Sequence, residues 1–522
     1  MGLRKSAVDM KDKIEELRRV KSKALQGGGE RIQHDQGKLT ARERIEKLLD
    51  TGSFSELNML AETQCTDFGL DKKKLPGDGI VAGSGEIDGR LIYLFAQDRS
   101  VLGGSAGVAH TRKMADAVEN ATRMGVPFIG LFDSPGARIQ EGIETLRRDA
   151  GTIYYSNSQA SGIVPQISAI LGVCSGMPAY SSALTDFVFM VDGISKMFIT
   201  GPEVIKQVGG KEVSMEELGG AKVHAQITGQ ADFRAKSEEE CFRMIRKLLS
   251  FLPSNCSESP LVIKTGDNPD RFVDDLDTVV PTDPKKSYDI HKVISALVDG
   301  SDFLEIKSEF ARNLVTGFGR LDGITVGVVA NQPLFYGGSI TVDSSIKSAR
   351  FIRFCDAFNI PLVFLMDVPG YFPGKDEEMK GIIRHGAKVL YAISESTVPK
   401  VCLILRKAYG GGTFAMGGVK LFGIDRVFAW PTAELAVMGA EGAVRILYKR
   451  EIAEAKDREG FYQKSIESYR ERFSHPYHAA AIQVIDDVIE PQESRRILIR
   501  ALKSLRGKRE WKSPRKHGNM PL

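Results

Sequence analysis

Two glycine-rich turns hold the residues best suited to chemistry: Cys174-Ser175-Gly176-Met177 and Tyr409-Gly410-Gly411-Gly412-Thr413. Each follows an apolar run, PQISAILG or PKVCLILR, that reads as a buried strand. In parallel α/β domains, ligands meet the carboxyl ends of strands, where backbone N–H groups and helix N-termini stand open. Small residues there let a ligand approach the backbone. Paired N–H groups aimed at a developing negative oxygen form an oxyanion hole, each donor contributing about 3 kcal/mol. The same glycines equally suit a tight turn or close packing, and the residues alone leave both readings open. GGGT lacks the Lys-Ser/Thr ending of a P-loop, so phosphate cradling is the weaker functional reading.

Other side chains offer less. A hydrolase triad has little support. His34, His110, His224 and His385 lie in polar or helical contexts, form no metal-type pair and read as structural. Cys174, at the end of an apolar strand, reads as packing. The six cysteines are far apart and show no Cys-x2-Cys spacing, so no metal site is expected. Arg138, in PGARIQEG, suits a phosphate or carboxylate ligand and a salt bridge to a nearby acid equally well.

The elements that must position these turns occur twice. VAGSGEIDG from Val81 returns as VTGFGRLDG from Val315, an offset of 234 residues. At that offset Lys113 matches Lys347, Asp133 matches Asp367, and Pro165 and Gly176 match Pro399 and Gly410. A period this long is a duplicated domain, not a solenoid. Each copy reads as a Gly-rich turn, a strand (LIYLFA, ITVGVVA), a glycine–serine turn and a helix, the second being SSIKSARFIRFCDAF. A buried strand ending in aspartate follows (PFIGLFD, PLVFLMD), then a helix and a third strand. That alternation predicts α/β domains with parallel strands and helical crossovers. A charged helix is expected over Val8 to Leu25, stopped by Gly27-Gly28-Gly29, and a second from Thr40 with a capping box to Glu43. Asp267 to Pro284 reads as the linker between domains 1–265 and 266–522, and the basic tail WKSPRKHGNMPL as a solvated, irregular end.

Composition narrows the class. With 522 residues, 42% apolar and 26% charged, the chain is a globular protein too long for one core. A net charge of +4 from scattered basic residues gives no support for nucleic acid as a partner. The charged N-terminus lacks a signal-peptide core, and no run of about 18 apolar residues is present. A cytoplasmic protein is expected.

The runs GKLTARERIEKLLD, GARIQEG, ASGIVPQIS, YSSALTDFVFM, FITGPEVIK, GIIRHGAKVLYA, RKAYGG and AWPTAELAVMGAEGA span nearly the whole chain. They resemble the carboxyltransferase (β) subunits of biotin-dependent acyl-CoA carboxylases, with propionyl-CoA carboxylase β and the methylmalonyl-CoA decarboxylase α subunit as the nearest branches. The resemblance implies two tandem crotonase-like (ClpP/crotonase) domains and a homo-hexamer, a trimer of dimers. It also implies separate biotin carboxylase and biotin carboxyl carrier subunits. Met379-Lys380 resembles a biotin-attachment pair but lacks a surrounding β-rich domain, so a partner would carry the biotin.

By the same resemblance, the amides of Gly176 and Met177 would serve the acyl-CoA thioester, and those of Gly411 and Gly412 the biotin. Gly136, Ala137, Arg138, Tyr409, Gly410 and Phe414 would border the substrates, and no metal would be used. The chain departs from the family at Pro135, which has no N–H to donate, and at Met177-Pro178, where proline biases Met177 toward an extended shape. Phe414 stands where propionyl-type enzymes have an aspartate of the acyl pocket, which implies a different acyl group. The alternatives are a sodium-pump decarboxylase subunit, a biotin-independent crotonase-type hydratase and a silent scaffold. Only the first would meet a membrane, and then indirectly.

Overall fold

A computed structural model describes residues 9–147, 150–210, 212–510 and 514–521. It divides into two compact units, Met1–Ser257 and Glu258–Leu522.

The first unit opens with α1 (Met10–Gln26), ended by Gly27 at φ 53°, and α2 (Ala41–Leu48). The expected start of α1 at Val8 lies outside the described residues. The capping box is present: Glu43 N–H donates to Thr40 Oγ1 (3.2 Å) and Thr40 N–H to Glu43 Oε2 (2.8 Å). The strands are β1 (Ser55–Leu57), β2 (Ile80–Ile87), β3 (Arg90–Gln97), β4 (Phe128–Ser134), β5 (Gln166–Ser175), β6 (Phe187–Val191), β7 (Lys196–Phe198) and β8 (Phe233–Ala235). They order as β1-β2-β3-β4-β5-β6-β8, with β7 paired to the end of β5. Pairing is antiparallel from β1 to β3 and parallel from β3 onward. Every residue of β4 is buried, as a parallel strand covered on both faces requires. Helix α3 (Val108–Met124) follows β3 and packs on the sheet, and α4 (Met177–Ala183) follows β5.

The second unit repeats this plan. Its strands are β9 (Leu304–Ile306), β10 (Leu314–Leu321), β11 (Ile324–Asn331), β12 (Leu362–Val368), β13 (Lys400–Tyr409), β14 (Arg426–Ala429), β15 (Glu434–Ala436) and β16 (Asp487–Val488). Helices α5 (Val342–Ala357), α6 (Ile382–Glu395) and α7 (Gly410–Ala415) are its crossovers and its turn. Strands β10 to β13 begin and end 234 residues after β2 to β5. Register is copied too: Ile129 pairs with Ile167 as Val363 pairs with Val401. Both ladders slip at the same place, between Phe132 and Ser134 and between Met366 and Val368. Shared boundaries, register and irregularity identify an internal duplication.

Two expectations need correction. Asp267 to Pro284 is not a free linker. Val273, Leu276 and Val280 are buried in the second unit's core, and the Asp267 carboxylate accepts from Arg271 Nε (2.7 Å) and Gly300 N–H (3.0 Å). Its polarity is legible in sequence; its buried apolar minority is not. Residues 514–521 are irregular as expected but not merely solvated: Arg515 pairs with Glu395, and Gly518 lies against the Tyr391 hydroxyl.

Candidate active site

In the first unit the carboxyl ends of β4 and β5 bring two segments together. Gly176 (φ 64°, ψ −122°) makes the turn out of β5, a conformation costly for any L residue. Nothing lies within 4 Å of where its Cβ would be, so backbone shape and not space requires glycine there. Helix α4 starts at Met177, contrary to the extended shape Pro178 was expected to impose. Proline is tolerated in a first turn because its missing N–H has no intrahelical acceptor. For the same reason the Met177 N–H has no acceptor within the helix. The Gly176 N–H donates to Phe198 O on β7 (3.3 Å).

The facing loop is Pro135 to Arg138. Ala106 N–H donates to Gly136 O (2.8 Å) and Arg138 N–H to Ala106 O (2.9 Å), so Ala137 turns its own N–H away from Ala106. Gly136 (φ 111°) packs against the turn out of β5: its Cβ would be 3.0 Å from Ser175 O, and Ser175 Oγ donates to Pro135 O at 2.6 Å. Arg138 forms the salt bridge, the second of its two readings. It is fully buried, with Nη1 2.7 Å from Asp78 Oδ1 and 2.8 Å from Glu141 Oε1, and Nη2 donates to Ser105 O (2.7 Å). Burial pushes the Asp78 carboxyl up to about 6. His110 donates from Nδ1 to Asp78 O (3.1 Å) and accepts from Gln97 Nε2 (3.1 Å), which defines a neutral imidazole; burial pushes its pKa down to about 3.

The second unit builds the same corner differently. Gly410 (φ 54°) leaves β13, and the N–H groups of Gly411 and Gly412 fall in the first turn of α7. At Gly412 space decides: a Cβ would be 2.9 Å from Val368 Cγ2 and 3.0 Å from Gly370 Cα. Ile340 bridges Gly370 O (3.0 Å) and Phe372 N–H (2.8 Å), so Tyr371 takes the place of Ala137. The Tyr371 ring covers Gly411 and presses on Gly386, and burial pushes its phenol up to about 12. Tyr371 was missed in sequence, although the 234-residue offset applied to Ala137 lands on it. The Tyr409 hydroxyl donates to Glu434, and burial drives that phenol's pKa up further. Phe414 is 44% exposed, edge-on to Phe422 with ring centres 5.8 Å apart.

The remaining candidates play no part at these turns. Burial pushes the Cys174 thiol up to about 12, which suits packing and not nucleophilic attack. His34 pairs with Glu43, His224 Nε2 with Met197 O (2.7 Å), and His385 lies beside Arg384. Met379 ends a short helix, Lys375–Met379, and Lys380 pairs with Glu377 (3.3 Å). Among the described residues, no group of three or more His, Cys, Asp or Glu side chains could hold a metal, and no helix is long and apolar enough to cross a membrane.

Residues 32–520 match the family model described as the carboxyl transferase domain. The chain belongs to the carboxyl transferase family. It is 51% identical to the propionyl-CoA carboxylase carboxyltransferase subunit of Haloferax mediterranei, covering 98% of this chain and 100% of that protein. It is 49% identical to the methylmalonyl-CoA decarboxylase subunit alpha of Veillonella parvula, covering 98% and 99%. The transcarboxylase 12S crystal structure, described as a hexamer with methylmalonyl-coenzyme A and methylmalonic acid bound, superimposes with a TM-score of 0.95 at 46% identity over 100% of both chains. The two units are therefore crotonase-like domains, and this carboxyltransferase presents one glycine corner on each.

Proposed function

We propose that this chain moves a carboxyl group between carboxybiotin, carried on a separate protein, and the α carbon of an acyl-CoA. One observation carries the reading. A single carboxyltransferase chain builds the same corner twice, each with a glycine turn at a strand end, first-turn amides and a facing glycine loop. Two such corners suit two groups that become oxyanions, a thioester and a urea.

The Met177 amide, with that of Ala137, is assigned to the thioester oxygen, while Gly176, expected as a donor there but with its N–H held by Phe198 O, makes the turn that presents Met177. Gly411 and Gly412 are assigned to the biotin oxygen. At Gly411 the Tyr371 ring comes within 3.5 Å of where a Cβ would stand, so that ring borders these amides. Biotin, when bound, supplies the carboxyl group and the base for the α proton. The chain itself supplies orientation and fixed dipoles. Gly136 and Gly410 shape the two corners, Tyr409 anchors the second, and Phe414 borders the acyl group in place of the family's aspartate. An acyl group other than propionyl follows, as do a hexamer, a biotin carboxylase and a carrier as partners, and a cytoplasmic site. The 49% identity to a methylmalonyl-CoA decarboxylase subunit favours a second reading, the same transfer run toward decarboxylation.

The test is incubation of the purified protein with free biotin and, separately, malonyl-CoA, methylmalonyl-CoA and other carboxylated acyl-CoAs. Biotin-dependent decarboxylation of one of them is expected. A folded oligomer silent toward all of them would overturn the proposal. Phe414→Asp is expected to shift preference toward methylmalonyl-CoA; an unchanged preference would remove Phe414 from the acyl pocket.

A further inference from the structure

Asp133 and Asp367 occupy one position in the two copies, near the carboxyl end of the central strand, and both are fully buried. A buried carboxylate demands a cation. In the second unit the sheet provides it: Arg406 on β13 places Nε 3.0 Å and Nη2 2.9 Å from Asp367 Oδ2. The residue 234 positions earlier is Gly172, packed so tightly on the Asp133 carboxylate that no Cβ fits. The first unit takes its cations instead from the segment before its sheet. Lys38 Nζ is 2.8 Å and Arg44 Nη1 3.3 Å from Asp133 Oδ2, with Gln33 Nε2 at 3.1 Å. Arg44 is shared with Glu238, 2.9 Å from Nη2. Lys38 is the cation whose ion pair is with Asp133 alone among the described residues.

Asp133 stands four residues before Ala137, and Gly172 four before Gly176. An uncompensated carboxylate behind an oxyanion hole opposes the charge that must develop in it. We propose that Lys38 is a positioning residue for the thioester side. It cancels Asp133, fixes the start of the Ser134–Arg138 loop and keeps the rear of that corner electrically neutral. The inference rests on the assignment of this corner to the thioester. It makes the segment before the first sheet a working part of the site.

The full-length Lys38→Met and Lys38→Arg proteins test it by biotin-dependent decarboxylation, with kcat and both KM values measured. Lys38→Met should lower kcat tenfold or more, with the KM for free biotin within twofold and assembly close to wild type, and with a lower thermal midpoint because Asp133 keeps only the shared Arg44. Lys38→Arg should restore the rate to within threefold. Activity of Lys38→Met within twofold of wild type would overturn the proposal, as would an equal loss in both variants. If Lys38→Met does not fold, the pH profile of Lys38→Arg decides. Asp133 from β4, Arg44 from α2, Arg99 after β3 and Glu238 face or border this amine, whose pKa burial lowers. A guanidinium keeps its charge where the amine loses it, so the alkaline limb should move to higher pH; coincident limbs would overturn the proposal. The wild-type rate tests the proposed function and the variant ratios test this inference. Were the wild type silent, malonyl-CoA and methylmalonyl-CoA binding by calorimetry would carry the ratio: fivefold or greater weakening in Lys38→Met supports the role, and unchanged affinity overturns it.

Discussion

The two glycine corners share a backbone but are held in place by different physics. In the first unit Arg138 ties the loop to Asp78 and Glu141, and Asp78 continues through His110 and Gln97 to the Asp133 N–H (3.0 Å from Gln97 Oε1). In the second, the position of Arg138 is Phe372, which packs on Tyr336 with ring centres 5.0 Å apart, and that of His110 is Ser344. Only the last link is kept, where Asn331 accepts from the Asp367 N–H (3.2 Å). Duplication preserved the strand ends and their register, and left free what fills the space behind them. One loop is set by buried charge and the other by ring packing.

The comparison can be broken first at the turns themselves. Gly412→Val should lower biotin-dependent turnover at least about a hundredfold, since its side chain would displace Gly370 and the first-turn amides. Gly176→Ala meets no atom, and its penalty should come from backbone strain of about 1–3 kcal/mol. Activity assays beside urea unfolding distinguish the two mechanisms; equal unfolding penalties with full activity would refute both.

Next in size are the loop anchors. Arg138→Met leaves two buried acids without a cation and should cost about 3–5 kcal/mol in urea unfolding. Phe372→Leu, at the matching position, should cost about 1 kcal/mol, as a partly exposed apolar exchange does. Equal penalties would show that the anchors are not of different kinds.

The smallest effect concerns pH. His291 in the second unit lies 2.9 Å from Glu305 and 2.7 Å from Asp289, and the hydrogen bond to Glu305, then that to Asp289, lifts its pKa to about 9. Its stabilisation is complete below the unfolded value of 6.5 and is lost as pH rises through about 9. The first unit has Leu57 at this position. His291→Gln should flatten the pH dependence of stability between 6.5 and 9 by less than ~1 kcal/mol, read by denaturation across that range.

Much of this was legible in the chain. The 234-residue offset anticipates three strands in each copy, because glycine and proline spacing and apolar runs record backbone geometry directly, whereas the Gly-rich run from Val81, which reads as a turn, is the strand β2. The Thr40–Glu43 box and the stop at Gly27 are local, and local signals are read reliably. Tertiary partners were not legible: Arg138 looked equally fit for ligand and acid until Asp78, 60 residues away, was seen beside it. Lys38 lies in a run that carries the family resemblance, but nothing local marked its role, since its partner stands 95 residues on. The extended bias expected at Met177 failed because Gly176 absorbs the turn.

The copied register has a consequence for folding. With equal lengths, equal boundaries and the same slip, the backbone cannot distinguish β5 from β13 while the chain is still searching for partners. Side chains must do so, and Gly172 and Arg406 suit that task. Were β13 to dock beside β4, its arginine would arrive as a third cation on a carboxylate already held by Lys38 and Arg44, in a space too small for even a methyl group. Were β5 to dock beside β12, Asp367 would be buried with no cation from the sheet. Either exchange is penalised where it begins, which favours each half closing on itself as it leaves the ribosome.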